Sequence, residues 1–373
     1  MADPDVRLKR LRTLRLKRYN EIVESGNDTE VEPLFSFDEY FSGGQCSKCN
    51  GYTRYKWRCD RCLLEFEGYV YGKLLPKCPT CFPNEHISRS MGESKMADFI
   101  ASISSAPVEL NKRINVNGRR MEIDIYLEGQ KLGFEFDGLW WHSELAGKDR
   151  RYHLDKTMAA GELGIRIIHV REDEWANKPD IVKSIISNAI GVCRRRVYAR
   201  NCRVAGVPSA EYASFMRTNH IQGYIPSPNR IGLYEGDSLV QVIGFGASRF
   251  EGGRTELHRM CTAIGVVVVG GLSRLMANSG VDDMITYCDR RLFDGAGYRA
   301  AGFRVLGFSE PGYSYFHKND TSSVVHRIKF QKHKLRSILD VFNPNLSEWE
   351  NMVANGWNRI WDCGNIKMQW QRR

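Results

Sequence analysis

The 373-residue chain carries 54 Lys and Arg against 44 Asp and Glu, a formal net charge of +10. With 42% hydrophobic and 11% aromatic residues it is not a disordered chain, and at roughly 150 residues per domain it has room for about two to three packed cores. No stretch approaches the ~18–20 apolar residues of a membrane span. With no apolar signal core either, the expectation is a cytoplasmic protein whose positive surplus meets a polyanion, nucleic acid or a membrane surface. Its eleven cysteines are then reduced thiols or metal ligands rather than disulfides.

Residues 1–45 read as a basic arm. Arg7, Lys9, Arg10, Arg12, Arg15, Lys17 and Arg18 lie between positions 6 and 18 with no acid among them, and residues 1–20 hold half of the net surplus. Leu8, Leu11 and Leu14 recur at helical spacing, which predicts an amphipathic helix with an apolar stripe. Arg10, Arg12 and Arg15 are its candidate phosphate contacts.

Residues 46–86 carry three C-x-x-C pairs, Cys46/Cys49, Cys59/Cys62 and Cys78/Cys81. That spacing lets two thiolates of one tight turn grip a single tetrahedral zinc ion. The segment between Cys62 and Cys78 is rich in Phe, Tyr, Val and Gly, as a β-hairpin between two zinc knuckles should be. The favoured site is Cys59, Cys62, Cys78 and Cys81, a structural zinc ribbon, with Cys46 and Cys49 open as alternative ligands. A ribbon this rich in Lys, Arg and Tyr is also a candidate nucleic-acid contact.

Residues 87–192 carry a carboxylate constellation. Glu93 opens a predicted amphipathic helix containing Met96, Phe99, Ile100 and Ile103. Strand-like runs follow at 113–116, 121–127 and 131–137, the first two joined by a turn at Asn117-Gly118. Alternation puts Ile123, Ile125 and Leu127 opposite Asp124, and Phe134 and Phe136 opposite Glu135 and Asp137. Adjacent strands thus bring Asp124, Glu135 and Asp137 to one polar face, the hard oxygen set that Mg²⁺ or Mn²⁺ takes. His142, five residues past Asp137, is a candidate general acid or base. A helix over 149–163 places His153 and Lys156 one turn apart, with Lys156 a candidate phosphate contact. An apolar strand over 165–170 leads to Glu172 and Glu174, read as strand-end surface acids, and a helix with Ile181, Val182, Ile185 and Ile186 closes the unit. The sum is an α/β arrangement around a mixed sheet.

The motifs Glu122-Ile-Asp124, Gly133-Phe-Glu135-Phe-Asp137-Gly-Leu-Trp-Trp-His142 and Ile167-Ile-His-Val-Arg-Glu172 resemble the very-short-patch-repair-like branch of the PD-(D/E)XK nucleases. They are most similar to the EDxHD-type phage homing endonucleases. The resemblance implies a metal-dependent nicking or cleaving centre in which Glu93, Asp124, Glu135 and His142 take the roles of helix acid, strand aspartate, next-strand acid and histidine. Asp137 stands where the broader superfamily has lysine, either as a metal ligand or as a partner that positions the histidine. The resemblance covers about 59–191, and a phage origin would place the protein in the host-cell cytoplasm.

Residues 193–373 read as a second α/β domain with a basic tail. Arg194, Arg195 and Arg196 form a basic junction, a linker and phosphate contact. Gly270-Gly271 before a helix and the run from Tyr298 to Phe303 resemble the GNAT-like acyltransferase fold, although the loop 266–271 lacks the spaced basic and glycine residues of a usual coenzyme A loop. The basic tail from His326 to Arg336 and Trp349, Trp357, Trp361 and Trp370 complete the chain, the tryptophans read as packing residues.

Two functions follow as expectations. One is a Mg²⁺-dependent endonuclease acting on double-stranded DNA, in which one active site cuts one strand at a time, so that a double-strand cut needs a homodimer or two successive nicks. The other is a non-nucleolytic DNA-binding or base-modifying, acyltransferase-like protein.

Overall fold

The computed structural model describes residues 4–42, 54–70, 75–81 and 91–372. The chain forms two compact units, Met1–Asp98 and Phe99–Arg373.

In the first unit, helix α1 (Pro4–Thr29) is followed by strand β1 (Val31–Pro33), helix α2 (Phe37–Ser42) and strands β2 (Arg54–Cys59) and β3 (Glu65–Tyr69). The strands form an antiparallel sheet in the order β1-β2-β3. Its core is Ile22, Val31, Phe35, Tyr55, Trp57 and Leu75, with Tyr19 and Tyr40 against it. The basic helix is therefore present, but its leucine stripe does not make the core. Leu11 and Leu14 are 46% and 59% exposed, and the packing face begins only at Tyr19 and Ile22. Arg12 and Arg15, though exposed, reach across to α2. Arg12 pairs with Asp38 at 3.0 Å and lies over the Phe37 and Phe41 rings, while Arg15 donates to the Phe41 carbonyl at 2.8 Å.

The second unit begins in helix α3 (Met91–Ile103), which spans the boundary, and continues with strands β4 (Glu109–Val116), β5 (Arg119–Leu127) and β6 (Leu132–Asp137), helix α4 (Tyr152–Glu162), strand β7 (Arg166–Arg171) and helices α5 (Glu172–Asn177) and α6 (Pro179–Ile190). The sheet order is β4-β5-β6-β7, antiparallel except for the last pair. Asn117 and Gly118 both have positive φ, 51° and 80°, the two-residue turn expected of Asn-Gly. All six residues of β6 are buried, so both of its faces are covered. The face carrying Glu135 and Asp137, expected to be merely polar, lies under α4.

The remainder of the second unit contains a seven-stranded sheet. Its order is Arg304–Phe308, Asn365–Gln371, Asp283–Asp289, Thr255–Thr262, Ser238–Ala247, Asn229–Glu235, Arg203–Gly206. The predicted basic linker is instead a strand, Arg195–Tyr198, paired in parallel with Val266–Val269, and the predicted 266–271 loop is that partner strand plus the Gly270-Gly271 helix start. Both departures have one cause: each strand needs a partner about seventy positions away in the chain, which local pattern does not reveal. A three-stranded sheet of Asp320–His326, Tyr313–His317 and Trp357–Trp361 packs Trp349 and Trp357 beside Tyr315, Phe330 and Met352.

Buried polar contacts tie the four-stranded sheet of this unit to the turn that follows Asp283–Asp289 of the seven-stranded one. Arg291, 4% exposed, donates to the His169 carbonyl at 2.7 Å and to both oxygens of Glu174 at 2.7 Å. Glu174 is thus not a surface acid. Glu172 also has a structural partner, accepting from the Leu139 amide at 3.0 Å.

Candidate functional site

The C-x-x-C turns converge. Cys59 ends β2, and its turn closes through the Leu63 amide onto the Cys59 carbonyl at 2.9 Å and the Cys59 amide onto the Leu64 carbonyl at 3.0 Å, with Leu63 at φ 60°. In the second turn the Cys81 amide donates to the Cys78 thiol sulfur at 3.5 Å. Across the turns, Cys59 and Cys81 sulfurs are 3.7 Å apart and Cys62 and Cys78 sulfurs 3.4 Å. A tetrahedron of ~2.3 Å Zn–S bonds has edges of about 3.8 Å, so the four sulfurs can hold a structural ion such as zinc. The amides of Cys81 and Thr80 outweigh burial and bring the Cys78 thiol down to about 7, whereas the crowded thiol of Cys81 is pushed up to about 12. Four adjacent sulfurs thus oppose full ionisation until a cation joins them. Cys46 and Cys49 lie outside the described residues. Cys59→Ser is expected to remove one zinc ion per chain and to lower the unfolding temperature, read by metal analysis and thermal denaturation.

The carboxylate cluster forms where β5, β6 and β7 run side by side under α4. Ile125 pairs with Phe134, and one step further along the same register Asp124 faces Glu135. Parallel pairing sets His169 of β7 beside Glu135 and Arg171 beside Asp137. Asp124 accepts from the Phe136 amide at 2.8 Å, which fixes its carboxylate across the strand gap. Glu135 is 1% exposed and ion-paired through Oε2 with the Lys156 ammonium from α4, while its Oε1 is buried without a hydrogen-bond partner. Burial and the charge of Asp124 push the Glu135 carboxyl up to about 8 against the pull of Lys156. Burial likewise raises Asp124.

Asp137 is the hub of a histidine cluster. Its carboxylate lies 3.2 Å from His142 Nδ1, 3.7 Å from His153 Nε2 and 3.2 Å from His169 Nδ1. His169 Nε2 meets the Thr157 hydroxyl at 2.9 Å. Burial opposes ionisation of Asp137, yet the surrounding histidines hold it well below the usual carboxylate range. His169 is correspondingly held well above the usual imidazole range by Asp137 despite its own burial, and burial pushes His153 down to about 3. Asp137 and His169 therefore form the ion pair, and His153 is neutral.

Asp124, Glu135, His142 and Lys156 line a cleft of about 360 Å³ whose wall also includes Arg119 and Arg120. The structure thus brings together Asp124, Glu135, Asp137 and His142. Lys156, read as a candidate phosphate contact, lines the cleft and is ion-paired with Glu135. Glu93 lies in the first turn of α3, half-buried, and belongs to the first compact unit. Arg10, Arg194 and Arg196 are exposed, and Arg195 is ion-paired with Glu235. The sequence reading did not place His153, His169, Arg119 or Arg120 at the site. A histidine inside the apolar run Ile167-Ile-His-Val170 was the one local signal for His169, because a central strand seldom buries a polar ring without a partner.

A second cavity, of about 270 Å³, opens where Thr255–Thr262 and Asp283–Asp289, parallel neighbours sharing a single residue pair, part. Arg259 lies on its wall with Nε buried and without a hydrogen-bond partner. Among the described residues no helix is long and apolar enough to cross a membrane. No family model matches the chain, and no curated protein matches it.

Proposed function

We propose that the protein is a metal-dependent DNA endonuclease whose centre is Asp124 and Glu135 with His142. The observation that carries this reading is the pair itself: two carboxylates on neighbouring strands, facing one cleft, one of them with a buried oxygen that has no partner. Mg²⁺ binds through one or two carboxylates and keeps several waters, so this pair fits it. When bound, the ion would supply charge neutralisation at the phosphodiester and orient a water.

The residues of the chain do the remaining work in this reading. Asp137 accepts from His142 Nδ1, which leaves His142 Nε2 as the free acceptor for a proton from the attacking water. His169 holds Asp137 ionised and in place. Lys156 lowers the cost of charging Glu135. Arg119 and Arg120 at the cleft, with the basic helix, would engage backbone phosphates. The resemblance to EDxHD-type endonucleases supports the same assignment of Asp124, Glu135 and His142. The test is conversion of supercoiled plasmid by the purified protein with Mg²⁺ and with chelator. Nicked or linear product only with Mg²⁺ is expected, and no product with either Mg²⁺ or Mn²⁺ removes the reading.

A second reading keeps the base-modifying alternative for the C-terminal region, favoured by the cavity and the buried Nε of Arg259 that has no hydrogen-bond partner, since a partly buried cation invites an anionic ligand. DNA incubated with protein and acetyl-coenzyme A, then analysed as nucleosides by mass spectrometry, would show a new adduct. An unchanged nucleoside profile eliminates acyl transfer to DNA.

A further inference from the structure

We propose that Asp137, His142 and His153 form a binding site for a Zn²⁺-class ion, separate from the Asp124–Glu135 pair. Three ligand atoms converge: Asp137 Oδ1 is 3.2 Å from His142 Nδ1 and 3.7 Å from His153 Nε2, and the two ring nitrogens are 3.1 Å apart. A point equidistant from atoms so spaced lies about 2 Å from each, matching the ~2.0–2.2 Å of Zn–N and Zn–O bonds. With bonds of that length the ion would lie just off the plane of the triangle and leave the side away from it open, the two-histidine, one-carboxylate cap that first-row metals accept.

The surroundings are those of a ligand set. Asp137 Oδ2 is held by His169 Nδ1 at 3.2 Å, and His169 is held by Thr157, so the ligating oxygen is aimed by an outer layer of hydrogen bonds. His153 is 2% exposed and its Nδ1 is buried with no hydrogen-bond partner. That ring is anchored only through the nitrogen that faces the cluster. Without an ion, three polar atoms crowd one point and at most two protons can lie between them.

The site has a consequence that rests on the endonuclease reading. Bound through Nδ1, His142 keeps its proton on Nε2 and cannot accept another. Zn²⁺ would then be an inhibitor that acts by withdrawing the base, while Mg²⁺ stays on the harder carboxylate pair.

Zinc content of the full chain, saturated with Zn²⁺ and dialysed against metal-free buffer, tests the site independently of cleavage. The cysteine cluster can account for one ion, and His142→Ala and His153→Ala are each expected to hold one zinc fewer than the parent. His142 borders the cleft with its side chain 18% exposed, so its truncation leaves the fold in place even where His153→Ala does not. His142→Ala retaining the parental zinc content overturns the proposal. In the cleavage assay, added Zn²⁺ is expected to slow Mg²⁺-supported nicking by at least tenfold. A chain that binds the extra zinc yet never cuts DNA upholds the metal site and removes the endonuclease reading alone.

Discussion

Asp124→Ala is expected to lower Mg²⁺-dependent plasmid nicking by about 10³-fold or more, the several kcal/mol of transition-state stabilisation that a positioned ion supplies. Asp124 is the member of the pair with no ion-pair partner among the described residues: Lys156 is joined to Glu135, and Asp124 is held by the Phe136 amide. Removing it takes away a ligand without stranding a buried cation. Zinc content and retention on DNA are expected to stay at parental values, because the substitution removes neither a cysteine ligand nor any of the basic side chains, Arg119 and Arg120 at the cleft included. Asp124→Asn separates charge from shape, since its side-chain oxygen still accepts from Phe136, and it should fall as far as the alanine variant. A variant that nicks at the parental rate would show that this carboxylate holds no catalytic ion.

Arg291→Met is expected to destabilise the fold by about 3–5 kcal/mol, read as a fall in unfolding temperature or denaturation midpoint. The guanidinium is buried and bidentate on Glu174, and its removal leaves that buried carboxylate with Arg171 alone. A methionine of similar length fills the volume and replaces none of the hydrogen bonds. The effect has a pH signature. Burial alone would raise the Glu174 carboxyl, but Arg291 and Arg171 together hold it below its usual range. A depressed carboxyl stabilises the fold above its unfolded value, and that stabilisation is lost as pH falls through the lower folded value. The parent should therefore lose stability on acidification more steeply than Arg291→Met. Parallel curves would show that the pair contributes nothing.

Local chemistry was legible in the sequence and long-range burial was not. Asn117-Gly118 specified its own turn, and alternation in β6 put Glu135 and Asp137 on one face because the side-chain period of a strand is two. The C-x-x-C spacing likewise carried its geometry within each turn. Alternation, however, names a face without saying what covers it. Packing of α4 turned a polar face into a buried one and made His153 and Lys156 inward partners rather than outward contacts. The Arg291–Glu174 tie joins residues more than a hundred positions apart, and no local pattern in either segment announces it. The leucines of α1 show the converse error: helical spacing was real, but the face it marked is exposed at Leu11 and Leu14.

Two fully buried acids, Glu135 of the cleft wall and the neighbouring Asp137, are already matched within the fold, Glu135 by Lys156 and Asp137 by its histidines. In the proposed endonuclease, a phosphodiester approaching this wall would meet bare charge chiefly at Asp124, with Lys156, Arg119 and Arg120 beside it, so the cleft would need little shielding by a metal before a polyanion entered. In that reading the order of arrival would be relaxed, with nucleic acid and divalent ion loading in either sequence. Had the same carboxylates stood unpaired, their repulsion would have made the ion an obligatory first ligand.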